Sequence, residues 1–308
     1  MRAGALRRRT DGRSRRYRRA WSRTFRLDPH RLWSVRDVAG QRFVGKVAVI
    51  TGAARGQGRA LAVRLAREGA DLIALDICAP VGSLPYGVAT ADDLAETEKL
   101  VRDLGRQIVA RPVDVRDLTG VEEAVRAGVE SLGRLDYVAA NAGVISYGRV
   151  WELTPDQWRT VIDINLTGVW HTVRATVPTL IEQNSGGAIV ITSSVAGLKG
   201  LPLMGHYAAS KYGVVGLAQV LANELGEHQI RVNTIHPWAV HSGMSEGDSV
   251  LHAMVAAYPR LGPIFMSSLA GTPMSTEEVA GVTTFLFSDE ARHITGVSLP
   301  VDFGTLAR

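Results

Sequence analysis

Tyr207 and Lys211, in the stretch HYAASKYG, stand four residues apart. On a helix that spacing puts both side chains on one face. A free phenol, with a pKa of about 10, is a poor base at neutral pH. An ammonium group one turn away favours the phenolate and lowers that value. Such a pair arises often by chance on surface helices, and what strengthens it is Ser194. This serine lies thirteen residues earlier, just past the apolar run GAIVITSS, at the carboxyl edge where open α/β sheets bind ligands. Asn165, within WRTVIDINLTGVW, is a fourth candidate. Asparagine is a poor helix former and Gly168 a worse one, so a local irregularity is expected there. A distorted turn frees a backbone carbonyl able to hold a water; an asparagine that breaks a helix for packing leaves the same mark.

A second group points to a dinucleotide. TGAARGQG, Thr51 to Gly58, lies between an apolar run and an amphipathic one. There Gly52 permits a tight turn, Gly56 lets the backbone approach phosphates, and Gly58 lets helix pack closely on strand. The helix N-terminus adds free N–H groups and positive potential. Asp76 ends the next apolar run, eighteen residues beyond Gly58, where a carboxylate accepts bonds from both hydroxyls of an adenosine ribose. Its charge repels a 2′-phosphate and favours NAD over NADP; Arg55 in the glycine loop argues mildly the other way. Asp114, closing a third run, is placed either to meet the adenine amino group or to sit solvated in a turn.

The elements that must position these residues alternate. KVAVITG, DLIALDI, QIVARPVDV, LDYVAANAG, GAIVITSS and IRVNTI are short, nearly continuous apolar runs, as strands buried on both faces should be. Helical patterns separate them, including a long one from Asp156 to about Ile181 and another from about His206 to Glu227. The expected fold is α/β, a Rossmann-type doubly wound parallel sheet in a single domain. Trp238 to Pro273 is irregular, low in charge and carries Met244, Met254 and Met266, with Met274 just beyond. It is expected to form a short apolar lid, about 238–273, over a greasy ligand; a surface excursion packed on the body is the alternative.

The 308 residues suffice for one large α/β domain with a sizeable core. No apolar run is long enough to span a bilayer and no hydrophobic signal core opens the chain, so a cytoplasmic protein is expected. Cys78 is the only cysteine, which rules out an intramolecular disulfide and argues against a cysteine-based metal site; no metal is expected. The formal net charge of +5 misleads, because thirteen arginines and three aspartates fall within residues 1–40 and leave the body acidic. An arginine block of this kind suits nucleic acid, an anionic membrane or a transit peptide. The expectation here is a disordered extension, 1–41, preceding a domain over 42–308. A GTG codon at Val38 read as the start would leave residues 1–37 unmade in the cell.

Together these motifs resemble the short-chain dehydrogenase/reductase family over about residues 42–308. TGAARGQG, the NAG of Asn141 to Gly143, INLTG, SS before AG, YAASK, IRVNTIHP and ITGVSLPVDFG carry the resemblance. It implies a hydride-transferring oxidoreductase, commonly a tetramer. Tyr207 matches the base, Ser194 the hydroxyl that holds the substrate oxygen, Lys211 the group that lowers the tyrosine pKa and holds the nicotinamide ribose, and Asn165 the residue whose carbonyl holds a relay water. It further implies that Asn141 supports the central strand, that Val240 and Ser242 lie beside the carboxamide, and that Gln57, Ile77, Val115, Ala142, Gly143 and Pro237 complete the cofactor contacts. Two departures stand out. Ala140 replaces a frequent asparagine, and His236-Pro237-Trp238 replaces Pro-Gly, which brings Trp238 toward the nicotinamide or the substrate. His206 and His241 are read as pocket lining or packing.

Within the family the chain looks most similar to the mycofactocin-associated, carveol dehydrogenase-like group. TGAARGQGRA, DICAP with an extra loop and DLAETEKLV, SSVAGLKG, GHYAASKYGVVGL and SDEARHITGVSLPVD carry this. That resemblance implies oxidation of a hydrophobic secondary alcohol, a terpenoid such as carveol, by an NAD that does not exchange and is reoxidised by mycofactocin. The loop after Asp76 would then clasp the cofactor through Val81, Leu84, Pro85, Tyr86 and Val88, or else serve an oligomer contact. The alternatives are a conventional reductase of a steroid or other ketone with freely exchanging NAD(P)H, and a nucleotide sensor without chemistry. The expected partners are a small hydrophobic alcohol or ketone, mycofactocin and further copies of the chain, with no nucleic acid and no membrane.

Overall fold

The structure is a computed structural model that describes residues 41–84, 86–244, 248–269 and 273–308. The arginine-rich stretch through residue 40, the candidate start at Val38, and Pro85 of the loop after Asp76 lie outside the described residues.

Strand β1 (Val47–Thr51) leads through the glycine turn into α1 (Gly56–Arg67), and β2 (Asp71–Asp76) returns parallel to it. The chain continues as α2 (Ala91–Asp103), β3 (Ile108–Pro112), α3 (Leu118–Leu132) and β4 (Tyr137–Ala140). Then come α4 (Pro155–Ile162), a π turn (Asp163–Thr167), α5 (Gly168–Gln183) and β5 (Gly187–Thr192). The last third holds α6 (Gly205–Glu224), β6 (Ile230–Pro237), α7 (Asp248–Ala257), a 3₁₀ segment (Pro259–Phe265), α8 (Thr276–Phe287) and β7 (Ser298–Val301). The strands are all parallel, in the order β3-β2-β1-β4-β5-β6-β7. The order reverses between β1 and β4, which opens a crevice at the carboxyl ends of those strands.

Apolar residues run unbroken along the strands because helices cover both faces. Ala48 and Ile50 pack into the layer of α1 and α8, while Val47 and Val49 face that of α3, α5 and α6. Ala188 and Val190 repeat the alternation against Ile189 and Ile191 on β5. Side chains fix several helix starts. Thr90 with Asp93, Thr154 with Gln157, and Ser275 with Glu278 form capping boxes for α2, α4 and α8.

Two features differ from expectation. The sheet has a seventh strand, β7, which the apolar pattern does not announce. It is a half-buried edge strand containing Pro300, and an edge tolerates proline while carrying only a weak apolar signal. The long helix expected from Asp156 runs from Pro155 to Gln183 but switches to π geometry at Asp163–Thr167. Asn165 is at its centre, so the expected irregularity is a π turn rather than a break.

Candidate active site

The carboxyl ends of β1, β2, β4, β5 and β6 open on one cavity of about 1110 Å³. That exceeds the range of roughly 300–1,000 Å³ for one small ligand and leaves room for a cofactor beside a second molecule. Gly52, Arg55, Gly56, Gln57, Asp76 and Ile77 line one end. Asp114, Val115, Asn141, Ala142 and Gly143 continue the wall, with Pro237, Val240 and Ser242 opposite. Ser194, Tyr207 and Lys211 line the same cavity. Gly58 and Asn165 do not reach the wall. Gly58 serves packing instead: a Cβ there would stand 2.0 Å from the Gly52 carbonyl oxygen.

The glycine end suits an anionic ligand. Arg55 is the N-cap of α1 and its side chain makes no capping bond, so the first turn, whose Gly56 and Gln57 line the cavity, lacks the side-chain acceptor that α2, α4 and α8 possess. Gly52 and Gly56 hold the turn with φ of +67° and +57°. Asp76, 8% exposed, accepts the Ala54 N–H at Oδ2 (3.0 Å) and the Cys78 N–H at Oδ1 (3.4 Å), which leaves each oxygen capacity for a hydroxyl. Burial pushes its carboxyl above the usual range, opposed by those amides and by the Arg55 charge. Asp114 is paired with Arg116 at 2.6 Å. Burial pushes that carboxyl up, but the Arg116 bonds outweigh it and hold it below the usual range. Uncapped N–H groups, the glycine cradle and a buried strand-end carboxylate together fit the pyrophosphate and ribose of a dinucleotide.

At the other end, Ser194 and Tyr207 line the cavity together, and Ser194 Oγ accepts the Ala196 N–H at 3.1 Å. Lys211 Nζ donates to the Thr192 carbonyl at 2.7 Å and stands 5.5 Å from the centre of the Tyr207 ring. The expected lowering of the tyrosine pKa by this lysine is not what the chain alone produces. Burial pushes the Tyr207 phenol up to about 12, with the Ser194 hydroxyl opposing, and burial pushes Lys211 down to about 8. Both groups are taken out of water, and desolvation penalises either charge more than the pair recovers. At neutral pH the phenol therefore holds its proton.

Asn165 is fully buried and its side chain mimics a strand: Oδ1 accepts the Val144 N–H (2.8 Å), while Nδ2 donates to the Val144 carbonyl (2.9 Å) and to Ser210 Oγ (3.2 Å). It thus ties the loop after β4 to α6. His241 lines the cavity, whereas His206 is fully buried against Ser146 Oγ at 2.7 Å and packs behind it.

The sequence profile described as enoyl-(acyl carrier protein) reductase matches residues 52–305. An uncharacterized NAD-dependent oxidoreductase of Mycobacterium tuberculosis is 51% identical over 269 residues, covering 85% of this chain and 96% of that one. The (-)-trans-carveol dehydrogenase of Rhodococcus erythropolis is 44% identical, covering 86% and 98%. The crystal structure of carveol dehydrogenase from Mycobacterium avium in complex with NAD superimposes with a TM-score of 0.83 at 47% identity, covering 87% of this chain and 99% of that one. The chain belongs to the short-chain dehydrogenase/reductase family.

This short-chain dehydrogenase closes its cavity with two segments. From the loop after Asp76, Val81, Tyr86 and Val88 reach the wall. That loop is pinned at three points: the Tyr86 hydroxyl accepts the Ile145 N–H at 2.9 Å, Ser83 Oγ donates to Thr160 Oγ1 at 2.9 Å, and the Arg55 guanidinium donates to the Gly87 carbonyl. The other segment is the stretch after β6. Trp238 lines the cavity and stacks on Phe265, centroids 6.2 Å apart, and Leu251 and Val255 of α7 join them. The methionines expected to form this lid mostly do not: Met244 reaches the cavity, Met274 is buried in the core of α1 and α8, and Met266 is 53% exposed. Branched and aromatic residues with fewer rotamers build the cavity face instead.

Sequence reasoning missed Ile145, Tyr147, Leu201 and Met204 of the apolar wall. Their only signal was position, just after NAG and just before HYAASK. It also missed Thr192, whose carbonyl anchors Lys211.

Proposed function

We propose that the domain over residues 42–308 is an NAD-dependent oxidoreductase that interconverts a hydrophobic secondary alcohol, a carveol-like terpenoid, and its ketone. The observation that carries this reading is the placing of Ser194, Tyr207 and Lys211 on the wall of the same cavity as the glycine turn and Asp76. The resemblance to carveol dehydrogenases supports the substrate class, as does the apolar wall of Val144, Ile145, Leu201, Met204, Trp238 and Phe265.

NAD supplies hydride chemistry at the carbinol carbon. Ser194 Oγ hydrogen-bonds the substrate oxygen, and Tyr207 takes its proton in oxidation or gives one in reduction. Lys211, anchored on Thr192, orients the cofactor ribose and favours the phenolate. The Asn165 carbonyl, within the π turn, holds a water that passes the proton outward. Asp76 takes the adenosine ribose hydroxyls, and Asp114 the adenine.

The loop from Val81 to Val88 acts as a clasp that retains NAD, and the electrons leave through an external carrier, mycofactocin. Its support is the three-point pinning of the loop to Ile145, Thr160 and Arg55. Trp170 of α5 and Tyr212 of α6, each more than 40% exposed, suit burial in a homotetramer. Among the described residues no helix is long and apolar enough to cross a membrane, which accords with work in the cytoplasm.

The test is to purify the protein without added cofactor, denature it and quantify released NAD(H), then follow dye reduction by carveol with and without external NAD. Stoichiometric NAD and turnover without free cofactor support the whole reading. Empty protein that turns over only with added NAD removes the clasp and the carrier but keeps the dehydrogenase; no oxidation of carveol or related cyclic alcohols removes the substrate class.

A further inference from the structure

Ser194 leaves the sheet just past the end of β5, so its own backbone has no strand to hold it in place. Its carbonyl accepts two hydrogen bonds: from the Gly197 N–H at 2.8 Å, and from His236 Nδ1 at 2.7 Å. His236 is fully buried on β6. A carbonyl only accepts, so Nδ1 carries the proton, and Nε2 of the neutral ring accepts from the Thr234 hydroxyl, 2.8 Å away. Burial holds the imidazole below its usual pKa, the Ser194 bond opposes, and the Lys211 charge adds to the lowering, which keeps the ring neutral. Thr234 Oγ1 in turn lies 3.3 Å from Ser298 Oγ on β7. The hydrogen bonds therefore run in one direction, from the Thr234 hydroxyl through His236 to the Ser194 carbonyl.

Strand geometry makes this chain possible. Thr234 and His236 are two residues apart and share a face of β6. Thr192 is paired with Ile235, and the Ser193 N–H donates to the Ile235 carbonyl at 2.9 Å, which brings His236 level with Ser193 and its ring within reach of the Ser194 carbonyl. From the other side, α6 holds the preceding residues. Lys211 Nζ donates to the Thr192 carbonyl, and Ser193 Oγ donates to the Lys211 carbonyl at 3.0 Å. The segment Thr192–Ser194 is thus clamped between α6 and β6, and His236 supplies the β6 side of the clamp.

We propose that His236 is a positioning residue: it holds the Ser194 main chain so that the serine hydroxyl meets Tyr207. This rests on the reading of Ser194 and Tyr207 as the reacting pair. His236 does not line the cavity, so its effect on the reaction passes through Ser194. Asparagine can present an N–H near the position of Nδ1, whereas leucine fills the space without a donor.

Two readouts test it on the full chain, in wild type, His236→Leu, His236→Asn and Ser194→Ala. In carveol oxidation, His236→Leu is expected to lower kcat about 10–100-fold, the scale of a small misplacement of a reacting group, with KM and bound NAD unchanged, and His236→Asn to recover most of the loss. The second readout needs no substrate: the Tyr207 Cζ carbon resonance in ¹³C-tyrosine-labelled protein, assigned with Tyr207→Phe. In His236→Leu it is expected to move toward its position in Ser194→Ala, and in His236→Asn to stay with wild type. A Tyr207 resonance unmoved by leucine, or an asparagine variant as impaired as the leucine one, overturns the proposal. A wild type that oxidises no carveol counts against the substrate class only, and the resonance still decides His236.

Discussion

Lys211 Nζ is bonded to the Thr192 carbonyl at 2.7 Å, while the Tyr207 ring centre lies 5.5 Å from it. The lysine is anchored to the end of β5 rather than paired with the phenol. In the chain alone burial therefore governs both groups, up to about 12 for Tyr207 and down to about 8 for Lys211.

A pH dependence of opposite sense in the two directions follows. Alcohol oxidation needs the phenolate, whose fraction rises with pH everywhere below about 12, so log kcat/KM is expected to climb with slope near one through the neutral range. Ketone reduction uses the phenol, which is protonated throughout that range, and its rate should stay level. Initial rates across pH in both directions check this, and a flat oxidation profile with rate-limiting chemistry would remove Tyr207 as the base.

Tyr207→Phe keeps the ring and its packing but removes the proton carrier. A general acid–base group contributes typically 10²–10⁴-fold, so kcat should fall by about that factor. Bound NAD after purification should be unchanged, because Asp76 and the glycine turn remain.

Asp76→Ser removes a buried charge that accepts the Ala54 amide and faces the cavity. Hydrogen bonds to charged groups contribute about 1.5–3 kcal/mol, so NAD affinity should drop about 10–100-fold. NADP affinity should fall less or rise, since the repulsion of a 2′-phosphate is gone. Titration with both dinucleotides measures the ratio.

Tyr86→Phe removes the acceptor for the Ile145 N–H and tests the clasp without deleting the loop. At about 0.5–1.5 kcal/mol for a hydrogen bond, NAD release should quicken about 2–10-fold. Deleting Val81 to Gly87 should quicken it further. An unchanged dissociation rate in both variants would reject the clasp.

Gly58→Ala should be the most disruptive single methyl in the site. Its Cβ would meet the Gly52 carbonyl oxygen at 2.0 Å, and backbone on both sides has little room to move. Overpacking costs about 1–3 kcal/mol, and thermal unfolding together with lost NAD binding should report it.

The sequence by itself determined the α/β alternation, because strands covered on both faces must be apolar throughout, as VAVIT and GAIVIT are. It also pointed to the proposed reacting set, since Tyr207 and Lys211 are local neighbours on one helix, and the glycine turn and Asp76 are fixed by the strands they end. The seventh strand escaped because an edge has only one neighbour to satisfy and needs little apolar signal. What only the tertiary structure decided are relations between distant segments. Lys211 is anchored by Thr192, Ser194 is held by His236 across β6, Arg55 reaches Gly87, and Tyr86 accepts from Ile145. The direction of the Tyr207 shift belongs to the same class: spacing along a helix fixes which charges are near, but desolvation depends on every element packed around the pair.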